Sequence, residues 1–181
     1  MAISLETNRT MKYIIFYINL FLIVVVYGQD QFVIEENGLT PKFSITKIDN
    51  STKTELYNKT LDWVNEHENS FSLSVDDTVE GEAIYLTSFK GNAVSLDKQF
   101  FNVKYDIRIS FENEQFKFEP SEIKLKLNSK YDMGWKEFSL SNGDIYFKNG
   151  KVIRKYKRYI KDITAVLNEI NNQLSAYLKK P

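Results

Sequence analysis

The chain has 181 residues, 43% of them hydrophobic and 27% charged, and no formal net charge, which is the balance of one globular domain rather than of a disordered chain. It has no cysteine, and this excludes disulfides, thiolate chemistry, cysteine-bound zinc and a lipid anchor on an N-terminal cysteine. With His67 as the one histidine, most histidine-dependent mechanisms are also excluded.

The N-terminal segment is predicted to direct export. An almost unbroken apolar run covers residues 13–26 and follows Lys12. The run is short compared with the ~20 residues that a helix needs to cross a bilayer, so it is typical of a signal peptide. We predict a signal peptide over residues 1–28, cleaved after Gly28; an uncleaved anchor helix is the alternative.

The product of that cleavage is predicted to be one domain over residues 29–181. Met11 is a more natural start than Met1, because residues 1–10 are polar and do not fit the short positive segment that opens a signal peptide. The predicted location is exported, either periplasmic or secreted.

The domain opens with two short β-type runs at residues 31–35 and 43–48. Thr52 followed three positions later by Glu55 fits a capping box, which satisfies backbone donors at the start of a helix. Apolar side chains at helical spacing follow, and they predict a first helix over residues 53–67.

From residue 71 the apolar spacing changes to two, which is typical of strands. Strands are predicted at 71–75 and 83–89, each followed by a turn, at 76–77 and 90–92 respectively. The clearest strand is 101–111, with apolar residues at alternate positions and polar residues between them. Its predicted inward side chains are Phe101, Val103, Tyr105, Ile107, Ile109 and Phe111.

After a turn at 112–115, apolar residues predict further strand structure over 116–127, and residues 128–143 are irregular. Asn149-Gly150 is a strong hairpin signal.

The last predicted element is a long helix. Between Ile153 and Tyr177 apolar side chains recur at steps of three and four. The stripe could cover the apolar face of the sheet or form a coiled-coil seam with a second copy. Because the apolar sheet face needs a cover, the first interpretation and a monomer are favoured. The predicted fold class is α+β, an antiparallel sheet of four to six strands covered on one face by two helices.

The stretch from Lys104 to Ile123, an alternating strand, an acidic turn and a short aromatic-rich strand, resembles the exported bacterial family called domain of unknown function 4468. The helix at 55–66, with Tyr57 and Trp63, is similar to that family's first helix. The resemblance covers residues 52–127 and implies a TBP-like fold and an exported setting. It implies no activity and no catalytic residues, and the fold name is no evidence of DNA binding.

Two groups of residues are candidate binding sites. Tyr131, Trp135 and Phe138 lie in the irregular stretch, where large aromatic side chains can stack on sugars, anchor a protein or fold back to close one end of the core. The second group is a basic patch, at the start of the long helix, that could contact anionic lipid, glycan or nucleic acid, or could be a solvated helix face. The patch comprises Lys151, Arg154, Lys155, Lys157, Arg158 and Lys161.

Two other features favour plain structural roles. Asp76, Asp77, Glu80 and Glu82 do not have the spacing of a calcium loop, so no metal is predicted. His67 is interpreted as a capping or packing residue.

We therefore predict an exported, non-enzymatic binding or interaction module of the cell envelope that acts through the open sheet face or the aromatic loop. The expected partner is an envelope protein, a glycan or a small ligand; no cofactor and no nucleic acid are expected, and membrane contact is expected only during export. One alternative is a hydrolase-type enzyme whose acidic residues converge only in the fold. The other is a structural envelope component that docks through the C-terminal helix, with Ile160, Leu167 and Leu174 exposed.

Overall fold

The computed structural model describes residues 31–131 and 134–180, so the predicted signal peptide lies outside the described residues. The two helices are α1, Lys53–Phe71, and α2, Lys157–Leu178. The strands are β1 Val33–Glu35, β2 Gly38–Thr40, β3 Ser44–Lys47, β4 Leu73–Val79, β5 Ala83–Leu96, β6 Gln99–Glu112, β7 Gln115–Leu127, β8 Lys136–Glu137, β9 Phe147–Lys148 and β10 Lys151–Val152. Short 3-10 turns occupy Asp144–Tyr146 and Arg154–Tyr156.

The centre of the fold is a six-stranded antiparallel sheet in the order β3-β7-β6-β5-β4, with β8 paired to the far part of β7. The pairs β1-β2 and β9-β10 form separate small hairpins, and Asn149-Gly150 joins the second one, as predicted. The predicted α+β class and the antiparallel sheet with two helices on one face are confirmed.

The alternation in β6 decides which sheet face is buried. The odd-numbered residues from Val103 to Phe111 are buried, whereas the even-numbered residues between them remain partly or fully exposed. Because successive side chains of a strand point to opposite faces, this pattern gives the sheet an apolar inner face and a polar outer face. The predicted register of this strand is confirmed.

Helix α1 begins at the predicted capping box. The Thr52 hydroxyl accepts a bond from the Glu55 N–H at 3.2 Å, and the Glu55 carboxylate accepts one from the Thr52 N–H at 2.8 Å. The helix ends at Phe71 rather than at 67, because buried Phe71 continues the apolar face by one more turn and Ser72, with φ of 45°, closes it. The predicted end at His67 is therefore wrong by four residues.

Helix α2 buries its apolar stripe against the rest of the domain. Ile160, Leu167 and Leu174 are each at most 6% exposed. The Tyr105 hydroxyl, from the middle of β6, donates a bond to the Ile163 carbonyl at 3.0 Å. The stripe is thus the cover of the sheet, and it is not available as a coiled-coil seam or as a docking stripe for an assembly.

The beginning of the described chain is attached to this last helix. The Asn168 side chain accepts a hydrogen bond from the Phe32 N–H at 2.8 Å and donates one to the Phe32 carbonyl at 3.0 Å. Phe32 is fully buried, and its ring lies 5.8 Å from that of Phe118 on β7.

Two predicted turns are strand irregularities instead. Residues 76–77 lie inside β4 at a register shift, and the chain turns later, at 80–82. Residues 90–92 do not end β5, which continues to Leu96 beyond a second register shift. A β-bulge interrupts the alternation of side chains as a turn does, so the apolar pattern alone does not distinguish the two.

Candidate functional site

The outer face of the sheet carries a row of three cross-strand pairs from β5 and β6. They are Phe89 with Lys104, Thr87 with Asp106, and Tyr85 with Arg108. Together with Trp135 these six residues are called the outer platform. Neither helix covers this face, and Phe89 is 37% exposed. A strand rises ~3.3 Å per residue, so the row from Tyr85 to Phe89 extends about 13 Å along the strands.

Trp135 lies at one end of the outer platform. Its ring meets Phe89 edge to face at a centroid distance of 6.2 Å, and the Lys104 Nζ lies 4.9 Å from the ring centroid. Strand β8 follows Trp135 directly and pairs with β7, so the indole reaches across β7 to the two central strands. Gly134 precedes Trp135 and has a φ of 143°, a conformation that favours glycine, so the chain can turn onto the sheet at this residue.

The middle of the outer platform is a hydrogen-bonding centre. The Thr87 hydroxyl lies 2.6 Å from an Asp76 oxygen and 2.8 Å from an Asp106 oxygen. A hydroxyl has one proton to donate, so one of these carboxylate oxygens keeps a free acceptor position at any moment. At the other end, Arg108 lies 5.8 Å from the Tyr85 ring centroid.

Charges beside the outer platform are paired with each other. Lys124 lies 2.6 Å from Glu122 and 4.0 Å from Asp106, and Lys117 lies 3.0 Å from Glu119. The Lys124 hydrogen bond lowers the pKa of Glu122, and the same bond raises the pKa of Lys124. The outer face therefore mixes both signs of charge and has no large field of one sign.

The three predicted aromatic site residues do not form one surface. Tyr131 is 79% exposed and contacts Lys130, at 4.8 Å from its ring centroid. Trp135 lies on the outer face, whereas Phe138 is only 3% exposed on the inner side. The prediction that Phe138 shares an aromatic binding surface with Trp135 is therefore wrong. The two residues of β8 lie between them in the chain, and Phe138 folds back into the core.

Phe138 belongs instead to a group of five rings, here called the aromatic cluster, at the end of the sheet next to the start of α2. Its members are Phe101, Phe138, Tyr146, Tyr156 and Tyr159. Phe138 stacks on Tyr146 at a centroid distance of 5.6 Å, and Tyr159 lies 5.9 Å from Tyr146. Sequence reasoning missed this cluster, since its five members come from five separate segments of the chain.

All six residues of the predicted basic patch are exposed at the start of α2 and in the segment before it. Arg158 pairs with Asp162 at 3.2 Å, and the Lys155 Nζ lies 4.5 Å from the Tyr156 ring centroid. The first turn of α2 has no acidic residue and no side-chain cap. Cations at a helix N-terminus oppose the helix dipole, so the patch costs the helix stability rather than adding to it.

The acidic residues of the described ranges form no candidate metal site. In residues 31–131 and 134–180, no group of three or more His, Asp or Glu side chains converges to hold a metal. A cavity of about 220 Å³ near the start of α1 is lined by Asp49 and Glu55, but Glu55 belongs to the capping box. The backbone bond from Thr52 lowers the pKa of Glu55, which keeps it ionised and unsuited to donate a proton.

His67 packs inside an aromatic row, as its position on the apolar face predicts. Its ring stacks on Trp63 at 5.2 Å and meets Tyr177 of α2 edge to face at 6.2 Å. Its Nδ1 lies 2.9 Å from the Trp63 carbonyl. Within the described residues, no helix is both long and apolar enough to cross a membrane.

Comparisons with known proteins give a family and a fold. The family model described as "Domain of unknown function (DUF4468) with TBP-like fold" matches residues 44–126, from β3 to the end of β7. No curated protein matches the chain.

Two solved structures share the architecture. A TBP-like protein from Parabacteroides distasonis ATCC 8503 is 18% identical with a TM-score of 0.55, over 76% of this chain and 91% of that one. A DUF4468 family protein from Bacteroides ovatus ATCC 8483 is 11% identical with a TM-score of 0.64, over 82% of this chain and 94% of that one. At these identities the likeness shows the fold alone. The resemblance seen in the sequence is thus confirmed: residues 44–126 match the DUF4468 family, and the fold is TBP-like.

Proposed function

We propose that this protein is an exported, non-catalytic binding module of the cell envelope, and that it binds an extended, uncharged glycan on the outer platform. The observation that carries the proposal is the order of groups along the platform. Aromatic rings lie at both ends, with Trp135 and Phe89 at one and Tyr85 at the other, and the hydroxyl and carboxylates around Thr87 lie between them.

This order matches the surface of a sugar chain. Each sugar ring has an apolar face that can pack on an aromatic ring, and its edge carries hydroxyls that donate and accept hydrogen bonds. Asp106 and Asp76 accept bonds, and Lys104 and Arg108 donate them. A row about 13 Å long on a strand favours a chain of several sugars over a single small molecule.

Charge and rigidity support the same ligand. The lysines next to the platform pair with carboxylates, and Asp76 and Asp106 lie at its centre, so a polyanion gains little from this face. Trp135 is already held by Phe89 and Lys104, so little side-chain freedom is lost on binding. The export of the protein rests on the predicted signal peptide at 1–28, which supports a location where envelope glycans occur.

The test is affinity electrophoresis of the purified protein, after expression of the full chain, in gels that contain soluble neutral glucan, mannan or xylan. We expect at least one of these polymers to retard the protein. Trp135→Ala should weaken that retardation at least tenfold, about 1.4 kcal/mol of binding free energy. The matched control is Ile145→Ala, which removes a 68% exposed apolar side chain outside the platform and should change nothing.

Two outcomes would overturn the proposal. One is no retardation by any neutral polymer, and the other is equal retardation of the wild type and Trp135→Ala. If Trp135→Ala abolished capture of an envelope protein while no glycan bound, the platform would be a protein-binding surface instead.

A further inference from the structure

The aromatic cluster encloses one side of a cavity of about 220 Å³ at the end of the sheet. The cavity is lined by Phe101, Leu125, Leu127, Lys136, Glu137, Phe138, Tyr146 and Tyr159. It lies on the inner side of the sheet, so it is separate from the outer platform. A cavity below the ~300 Å³ of ordinary ligand pockets suits a molecule about the size of one substituted ring.

The walls favour a flat, apolar group. Phe138 and Tyr146 stack with an interplanar angle of 11°, and Phe101 meets Tyr159 edge to face at 6.2 Å. An aromatic ring gains from offset-stacked or edge-to-face contacts beyond its burial of apolar area. Leu125 and Leu127 complete this side of the cavity with aliphatic groups.

The two charged side chains of the lining differ in their partners. Glu137 is paired in register with Lys124 of β7, and its charge is one of those that raise the pKa of Lys124, after the Glu122 hydrogen bond. Lys136 is paired in register with inward-facing Leu125, and it makes no ion pair with a described residue. Residues paired in register share a face of the sheet, so Lys136 lies on the inner side with the cavity, whereas Glu137 lies on the outer side with Lys124.

The polar groups around the cavity also favour an anionic ligand. Burial raises the pKa of both Tyr146 and Tyr159, so both hydroxyls stay protonated. The two hydroxyls are hydrogen-bonded to each other, which leaves one proton of the pair to donate to a ligand. Tyr156 connects these rings to the basic patch, because it lies 5.2 Å from Tyr146 and carries Lys155 on its own ring. Residues 148–161 hold seven basic and no acidic residues, which makes the potential around the cavity positive.

We propose that this cavity is a second, independent binding site that takes a small aromatic carboxylate, with the ring against the wall formed by Phe138, Tyr146 and Tyr159 and the carboxylate on Lys136. The charge of the ligand complements the unpaired lysine and the basic patch, and its ring complements the walls. The site goes beyond the glycan-binding role and does not depend on it, since the two lie on opposite faces of the sheet.

Titration calorimetry with three matched probes tests the site, on the protein purified after expression of the full chain. The probes are 3-phenylpropionate, its neutral amide and 3-phenylpropylamine, which share the ring and differ in charge. We expect the carboxylate to bind, the amide to bind at least tenfold more weakly, and the amine not to bind.

Lys136→Met should reduce the affinity for 3-phenylpropionate at least tenfold and leave the amide unchanged. Because Lys136 is exposed, this change leaves the fold intact. Lys126→Met is the matched control, since Lys126 faces outward on the neighbouring strand, opposite Asn102, and its loss should change neither affinity. Leu127→Trp, which fills the cavity, should abolish binding of both probes.

The proposal is overturned if 3-phenylpropionate does not bind saturably. It is also overturned if the amide binds as tightly as the carboxylate, or if Lys136→Met and Lys126→Met have equal effects. None of these results bears on glycan binding, which Trp135→Ala tests alone.

Discussion

The two faces of the sheet differ in composition and in burial, although the same strands supply both. The inner face is a continuous layer of buried apolar side chains under α1 and α2, with Tyr105 as a polar exception that bonds to α2. The outer face holds charged, hydroxyl and aromatic side chains that contact one another and solvent. Stability therefore depends mainly on the inner face, and the outer face is the one that we propose for binding.

The two faces also differ in how much stability a substitution removes. On the inner face a smaller side chain leaves a cavity that the close-packed surroundings fill only partly. On the outer face water replaces a lost contact, and exposed ion pairs contribute ~0–1 kcal/mol. Substitutions of neighbouring residues in one strand can therefore differ in effect by several kcal/mol.

The largest expected effect is that of Phe118→Ala. Phe118 is fully buried on β7, so its loss should lower the free energy of unfolding by about 3–5 kcal/mol. Urea denaturation measures this, with Lys117→Ala as the control on the next residue and the opposite face. The control should change stability by about 0.5 kcal/mol or less. Equal losses in the two variants would contradict the two-face description.

Tyr105→Phe should have an intermediate effect. It keeps the buried ring and removes the hydroxyl that donates to Ile163, so the expected loss is about 1 kcal/mol. The control is Tyr131→Phe, whose 79% exposed side chain should leave the unfolding midpoint unchanged. An unchanged midpoint for Tyr105→Phe would show that this bond does not help to hold α2 on the sheet.

The smallest effect concerns Glu122 and is seen as a dependence on pH. The hydrogen bond from Lys124 lowers its folded-state pKa below the ordinary value of 4.5. The contribution of the Glu122–Lys124 pair to the free energy of unfolding is therefore fully present above pH 4.5, and it is lost as the pH falls through the folded-state pKa of Glu122. Urea midpoints of the wild type and Glu122→Gln should differ at pH 7 and converge towards pH 3. A difference that grows on acidification would contradict this sign.

The sequence predicted most of the inner face, because burial on one side imposes a strict period. The strand at 101–111 and the stripe of α2 have many regularly spaced apolar residues. The strand lies where predicted, whereas α2 begins at Lys157 and not at Ile153, because a 3-10 turn over Arg154–Tyr156 precedes it. Bulges in β4 and β5 were mistaken for turns, since a bulge also breaks the period. Strand β8 was missed because two residues are too few to show any period.

The candidate sites were harder to predict than the fold. Tyr131, Trp135 and Phe138 lie in a stretch without periodicity, so nothing in the sequence assigns each residue to a face. The pairing of β8 with β7 makes that assignment, and it puts Trp135 and Phe138 on opposite sides. If β8 had been recognised as a strand, the alternation of side chains on either side of Lys136 would have assigned Trp135 and Phe138 to opposite faces of the sheet.

The attachment of Phe32 to Asn168 has a consequence for how the chain folds. The two residues are 136 positions apart, and strands β1 and β2 precede every strand of the main sheet. Contacts of such high sequence separation slow folding, because the entropy of closing a long loop is lost before the contact forms. The first strands can therefore be secured only after α2 has been synthesised, so the domain closes late in the order of its own elements.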